Sequence, residues 1–276
     1  MTQRSPDDVR SAVRDHYGKV AKTNGAAGCA PNCCAPTTGA SLGLGYSEAD
    51  LASVPEGADM GLGCGNPQAI ASLLAGETVL DLGSGGGFDA FLAAKQVGPK
   101  GHVIGVDMTA DMVTKARANA KKLDADNVEF RLGEIEHLPL ADGTVDAIMS
   151  NCVINLSPDK AAVFREAHRV LKAGGRLAIS DVALTKELPP AMNEQILALV
   201  GCVSGAVRIE TIETLLRDSG FVDIRVTARP ESRAFIREWM PGSGVEDHVT
   251  SATIEARKAG GERACCAPSC CEEKSA

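Results

Sequence analysis

Aromatic side chains are scarce in this chain: one Trp, two Tyr and six Phe, 3% of 276 residues. So few rings disfavour a base-stacking surface. Positive charge is also in deficit, with 28 Lys and Arg against 36 Asp and Glu. The net charge of −8 leaves no basic footprint for nucleic acid. No apolar run approaches membrane-spanning length. Met1 to Asp8 are polar and partly acidic, unlike a signal peptide. These absences lead to the expectation of a cytoplasmic protein that acts on neither nucleic acid nor membrane. The five histidines, at positions 16, 102, 137, 168 and 248, form no ligand pair and read as ordinary surface or core residues.

The chain is organised around a glycine-rich turn. Val79 to Leu82 reads as a short buried strand containing Asp81. Gly83, Gly85 and Gly87 alternate behind it, with Ser84 among them, and a helical pattern starts near Phe88. Glycine lets the backbone turn sharply and lets a ligand touch it. The helix N-terminus that follows presents unpaired N–H groups. The next strand, Val103 to Asp107, also ends in a carboxylate. Gly85-x-Gly87-x-x-Ala90, with Asp107 about 20 residues on, fits a dinucleotide fingerprint. Asp81 speaks against that reading, because a carboxylate opening the loop would repel a pyrophosphate. The spacing Asp81-x-Gly83-x-Gly85-x-Gly87 resembles instead the first motif of class I S-adenosylmethionine-dependent methyltransferases. That ligand carries a sulfonium and an ammonium, which an acid suits.

From residue 78 onward strand and helix patterns alternate. Strands are expected near 78–82, 102–107, 127–132, 145–150, 175–181, 221–227 and 249–257. Helices are expected near 87–97, 110–123, 158–171, 190–203 and 209–219, preceded by a helix at 67–75. Pro6 to Lys22 reads as a further helix with Ser5 as cap. Residues 23–67, rich in Gly, Pro, Ala and Ser, read as a long loop region. Leu171 to Gly175 reads as a helix stop with glycine in the left-handed turn. The fold class implied is α/β: Rossmann-like, a largely parallel seven-stranded sheet with helices on both faces. Ligands in such sheets sit at the carboxyl ends of strands, where Asp81, Asp107, Glu134 and Asn151 fall. The expected division is residues 1–69 as an N-terminal helix and cysteine-bearing loop region, 70–260 as the cofactor-binding domain, and 261–276 as a flexible cysteine-rich tail.

Ten cysteines are too few for a disulfide scaffold in a chain of this length. Cys29, Cys33 and Cys34 cluster early, and Cys265, Cys266, Cys270 and Cys271 cluster late. Cys64, Cys152 and Cys202 stand alone. Free cysteine is often a plain core residue. Together, however, the three suggest a site for a soft, thiophilic element. Structural zinc prefers four ligands at short spacings, which the isolated cysteines do not supply. Three widely spaced thiolates fit trivalent arsenic, whose lone pair can attack the sulfonium methyl.

The resemblance then becomes specific. Gly-Leu-Gly-Cys64-Gly-Asn-Pro, Ser-Asn-Cys152-Val-Ile-Asn-Leu and Val-Gly-Cys202-Val-Ser-Gly-Ala resemble segments of the arsenite S-adenosylmethionine methyltransferases. So do Asp15 to Val20, the Cys33-Cys34 pair and the cysteine-rich tail. The resemblance implies that Cys152 and Cys202 hold arsenic, presented as a thiol conjugate, with Cys64 as third thiolate. It implies that Cys34 or Cys33 forms a disulfide with Cys64 during turnover; Cys34 is our choice. Thioredoxin or glutathione would supply the reducing equivalents. For the cofactor, S-adenosylmethionine, it implies ribose binding by Asp107, an adenine contact from Glu134, and apolar cover from Met108 and Ile135. Two alternatives stay open on the residues alone: a methyltransferase for a carbon or oxygen acceptor, and a thiol-rich metalloid-binding protein.

Overall fold

The computed structural model describes residues 5–23, 40–189, 192, 203, 205–239 and 241–260. Helix α1, Pro6–Lys22, opens with a capping box: the Asp8 backbone N–H donates to Ser5 Oγ at 3.2 Å and Ser5 N–H donates to Asp8 Oδ2 at 3.2 Å. Two short helices follow, α2 (Ala40–Gly43) and α3 (Glu48–Ala52), so part of the segment read as a long loop is helical. The helix expected at 67–75 is only α4, Gln68–Ala71. Ser72 ends it by entering the left-handed region at φ 47°.

The remaining elements are β1 (Thr78–Leu82), α5 (Phe88–Val97), β2 (His102–Asp107), α6 (Ala110–Lys122), β3 (Val128–Leu132) and β4 (Val145–Asn151). Then come α7 (Lys160–Val170), β5 (Leu171–Leu184), a helix at Ile209–Asp218, β6 (Phe221–Arg229), a short helix at Arg233–Ile236 and β7 (Val249–Lys258). The helix expected at 190–203 falls almost wholly outside the described residues. Strand β5 is longer than its pattern predicts. Leu171 already pairs with Val145, and the register then shifts before Arg176 pairs with Ala147. Helix α7 ends at Val170, and the left-handed glycine, Gly174 at φ 79°, lies inside that irregularity.

The strand order is β3-β2-β1-β4-β5-β7-β6. β7 runs antiparallel between β5 and β6, and the other pairings are parallel. The sheet alternates its apolar side chains between two cores. Leu80 and Leu82 face one core with Phe164 and Leu216, whereas Val79 faces the other with Phe91 and Val113. Order reverses between β1 and β4, the place where a doubly wound sheet opens a crevice at its carboxyl edge. The N-terminal region packs over that edge: Val20 and Ala21 of α1 bury against Met112 of α6 and against Met60. Among the described residues no helix is long and apolar enough to cross a membrane.

One charged brace holds the opposite edge. Arg176 of β5 donates to both Glu77 carboxylate oxygens at 2.7 Å and to the Ser72 carbonyl at 2.8 Å. Side-chain exposure is 15% for Arg176 and 14% for Glu77. Removing one partner of such a pair strands the other charge. Arg176→Met is therefore expected to lower the unfolding free energy in urea by about 3 kcal/mol. The double variant with Glu77→Leu should be milder than the single one, and a double variant as damaged as Arg176→Met would contradict the stranded-charge account.

Candidate active site

A cavity opens at the reversal point, between the ends of β1, β2 and β4 and the overlying N-terminal region. Its floor is the glycine turn. Gly83, Gly85 and Gly87 all have positive φ, at 68°, 49° and 93°. At Gly83 a Cβ would press on Val153, and at Gly87 it would sit 2.7 Å from Phe91 and 2.8 Å from Phe130. Gly83, Ser84 and Gly85 line the cavity; Gly87 does not, and instead begins α5.

Acids surround the floor. Asp81 is 2% exposed, and its Oδ2 has no hydrogen-bond partner. Burial, then the neighbouring charges of Asp89 and Asp107, push its carboxyl well above the usual range. Asp107, at the end of β2, accepts the Gly85 N–H on Oδ2 at 3.0 Å and the Thr109 N–H on Oδ1 at 2.8 Å. Burial raises its pKa, and those N–H groups hold it back. Met108 and Ile135 line the cavity beside it.

Glu134 does not line this cavity. It turns to α1, where Arg14 donates to it at 3.2 Å and Arg10 lies 3.5 Å away. The following acid, Glu136, is in the lining, 3% exposed, and accepts Ser157 Oγ–H at 2.7 Å. Both acids lie beyond β3, and Arg10 stands 3.4 Å from Glu136 as well. The sequence shows two acids two residues apart but not which of them reaches the cavity.

Asn151 ends β4 and joins the cavity to the cysteines. Its Nδ2 donates to Gly65 O at 2.9 Å, to Tyr46 Oη at 3.1 Å and to Asp89 Oδ2 at 3.2 Å. Its Oδ1 accepts the Cys64 N–H at 3.1 Å. Tyr46 in turn donates to Asp89 Oδ1 at 2.7 Å. Burial, with Asp89 alongside, raises the Tyr46 hydroxyl well above its ordinary pKa. Neither Tyr46 nor Asp89 stood out in the sequence. Tyr46 lies in the loop-like segment with no periodic signal, and Asp89 reads as an ordinary acid in a first helical turn.

Cys64 and Cys152 meet here. They form a disulfide with Cα atoms 5.7 Å apart, across 88 residues of sequence. The expectation was a bond from Cys64 to Cys34, which lies outside the described residues, as do Cys33, Cys202 and the tail cysteines. Cys64 itself is buried and held at its backbone. It is 1% exposed, its carbonyl accepts Ser251 Oγ–H at 2.7 Å, and its N–H is taken by Asn151. Cys152 lines the cavity and donates its N–H to Ser180 O at 2.8 Å. Apolar Val182, Ile236, Val245 and Val249 enclose the pair.

Asp181, 2% exposed on β5, completes the surroundings. It accepts Val182 N–H at 2.7 Å and Asn155 Nδ2–H at 2.9 Å on Oδ1. Burial pushes its carboxyl from 3.8 up to about 6, against those bonds and the charge of Lys160. A carboxyl raised on folding contributes stability that is full below the unfolded pKa and lost as pH rises through the folded one. The unfolding free energy of Asp181→Asn minus that of the natural chain should therefore rise by roughly 2 kcal/mol between pH 4 and pH 7. A flat difference in denaturant titrations across that window would show that Asp181 titrates normally.

Comparison with known proteins follows from this geometry. Residues 73–220 match the family model described as a methyltransferase domain. The chain is 49% identical to the arsenite methyltransferase of Halobacterium salinarum, covering 94% of this chain and 68% of that protein. It is 37% identical to the Homo sapiens arsenite methyltransferase, covering 79% of this chain and 60% of that one. Several curated relatives are thus matched over less than two thirds of their length. Among solved structures, it is similar to the arsenic(III) S-adenosylmethionine methyltransferase from Chlamydomonas reinhardtii, with TM-score 0.62 and 34% identity over 82% of this chain and 76% of that one.

Proposed function

The chain belongs to the S-adenosylmethionine-dependent arsenite methyltransferases, and from that membership we propose that its cavity brings the methyl donor to trivalent arsenic held by cysteine thiolates. The observation that carries the reading is Cys152, which lines the same cavity as Asp81 while bonded to Cys64. Donor and acceptor sites then share one chamber.

The residues present fit the cofactor. A buried carboxylate oxygen without a partner, on Asp81, is what a cationic amino group would satisfy. Asp107 is oriented by two N–H groups, leaving lone pairs for ribose hydroxyls. Met108 and Ile135 supply apolar cover for a base. The adenine contact expected of Glu134 lacks this support, since arginines of α1 hold that side chain. When bound, S-adenosylmethionine supplies an electrophilic methyl group.

The acceptor side begins with reduction. Two thiols from thioredoxin or glutathione take over the Cys64–Cys152 disulfide and leave two free thiols. Trivalent arsenic then exchanges its own thiol ligands for these, each protein thiol passing its proton to the departing one. Cys202 is the proposed third ligand. Its sequence neighbour Val203 packs against the cluster holding Cys64 and Cys152, which supports that assignment. Cys34 is proposed as the thiol that takes the disulfide from Cys64 between turnovers. Cys64, Cys152 and Cys202 would hold trivalent arsenic with its lone pair available to the methyl group that the bound cofactor would supply. Transfer would leave arsenic two electrons more oxidised, and two thiolates closing a disulfide would return it to the trivalent state. Successive rounds would give mono- and dimethylated arsenicals, a detoxifying sequence.

Asp81→Asn and Asp107→Ala should each weaken S-adenosylmethionine binding in calorimetry, Asp107 through lost charge-assisted bonds. Burial raises the Asp81 pKa and a cation beside it would lower it, so cofactor affinity should strengthen as pH rises. Unchanged affinity in both variants would remove the cofactor assignment.

Serine at Cys152 or Cys202 should abolish methylation of arsenite and of methylarsenite, because a hydroxyl is a poor ligand for soft arsenic. Methylarsenite needs only two sulfur ligands, so Cys64→Ser should lose arsenite methylation and keep part of its activity on methylarsenite. Product speciation under excess thiol is the measurement. Normal arsenite turnover by Cys152→Ser would make that residue a plain core cysteine.

A further inference from the structure

The cysteine pair has a third neighbour that methyl transfer does not use. The sulfurs of Cys64 and Cys152 and a carboxylate oxygen of Asp181 all lie within 4.8 Å of one another, and all three residues are buried. A carboxylate is a hard donor and a poor match for a soft metalloid. It is a good match for a borderline cation that also takes sulfur. We propose that, once the disulfide is reduced, Cys64, Cys152 and Asp181 form a two-sulfur, one-oxygen site for a divalent cation of the zinc and cadmium class, which competes with arsenic for the thiolates. The cation site stands on the donor set, and its competition with arsenic rests on the function proposed above.

The three ligands are held before any ion arrives. Cys64 is pinned through its N–H by Asn151 and through its carbonyl by Ser251. The Cys152 N–H is held by Ser180. Asp181 is oriented by Val182 and by the Asn155 side chain, and the Asn155 N–H reaches its Oδ2 only at 3.3 Å. Ligating carboxylates are characteristically hydrogen-bonded in this way from behind. Tetrahedral zinc thiolates place their sulfurs about 3.8 Å apart. A Cα separation of 5.7 Å accommodates that with side-chain rotation alone. Two thiolates and a carboxylate carry three negative charges. A dication, with the Lys160 charge that already acts on Asp181, balances them in an apolar enclosure.

Such a site leaves no trace in cysteine spacing. Its two sulfurs come from residues 88 apart, and its oxygen from a third element. It also has an open fourth position, unlike the closed four-ligand structural site that the spacing excludes.

The test uses the full chain with Cys265, Cys266, Cys270 and Cys271 changed to serine, reduced without oxygen by a trialkylphosphine. The phosphine takes oxygen from water, the disulfide becomes two thiols, and the cation then displaces their two protons. Zinc affinity is read by competition with a chromophoric chelator, and the zinc shell by X-ray absorption. One zinc with two sulfurs and the remainder oxygen or nitrogen is expected. Asp181→Asn should bind zinc more weakly by at least the roughly 10-fold that loss of an outer partner of a ligand costs, while still capturing a trivalent phenylarsenical. The oxidised chain should show no zinc with that shell. A shell of three or four sulfurs, no zinc uptake, or unchanged affinity in an Asp181→Asn chain that folds would overturn the proposal. Should Asp181→Asn not fold, the shell of the Asp181-containing chain decides alone.

Discussion

The site depends on the carboxamide of Asn151. It hydrogen-bonds both Asp89 in the cavity and the Cys64–Gly65 backbone. The job needs a donor and an acceptor on one planar group. Nδ2 faces three oxygen acceptors while Oδ1 faces the Cys64 N–H. An aspartate in that place would set a second charge against Asp89 and meet the Gly65 carbonyl with a lone pair. Residues 40–67 have little regular structure of their own: two short helices joined by turns. Their grip on the sheet comes from such polar ties, with Ser251 Oγ–H on Cys64 O as the second. Close approach completes it. A Cβ on Gly65 would meet Ser180 Cβ at 3.1 Å, so only glycine lets this backbone lie against β5.

Around that tie the protein concentrates buried acid. Asp81, Asp89, Asp107, Glu136 and Asp181 gather within the carboxyl edge of the sheet, and four of them are nearly inaccessible. Burying carboxylates is unfavourable unless hydrogen bonds or positive charge offset it. Asp89 is satisfied by Tyr46, Asn151 and Gln68, and Asp107 by backbone N–H groups. Asp81 is the exception, with an oxygen that nothing in the described chain meets. One backbone N–H, from Ala90, acts on Asp81, and its Oδ2 is left to whatever occupies the cavity. The cationic ligand proposed above would offset that burial.

The alternating strand and helix patterns, the glycine turn and the strand-end acids were legible because they are local. Seven strands and most helices fall within a few residues of their expected bounds. What was not legible depends on distant parts of the chain. Glu134 sits just past the carboxyl end of β3, but the arginines of α1, 120 residues away for Arg14, decide where its side chain points. Tyr46 has no pattern, and its importance comes from Asp89, 43 residues on. The Cys64–Cys152 pairing needs the crossover from the N-terminal segment to β4. Nothing in the spacing of either cysteine specifies it.

The backbone of Cys152 bears on its proposed role. Its φ is 59°, in the left-handed region, which costs an L-residue about 1–2 kcal/mol. Four described non-glycine residues have positive φ, and the other three, Ser72, Asp124 and Asp223, are exposed. Cys152 alone of them is buried, at 5% exposure. Glycine would relieve the strain, and the surrounding core would lose little volume. What glycine would remove is the sulfur. The left-handed turn directly after Asn151 is also what lets consecutive residues do two jobs. Asn151 holds the Cys64 backbone from one side, while Cys152 presents its sulfur to the Cys64 sulfur. Strain of this size at a buried, chemically distinctive residue is the pattern of a functional position. It argues that the thiol, rather than packing, determines which residue stands there.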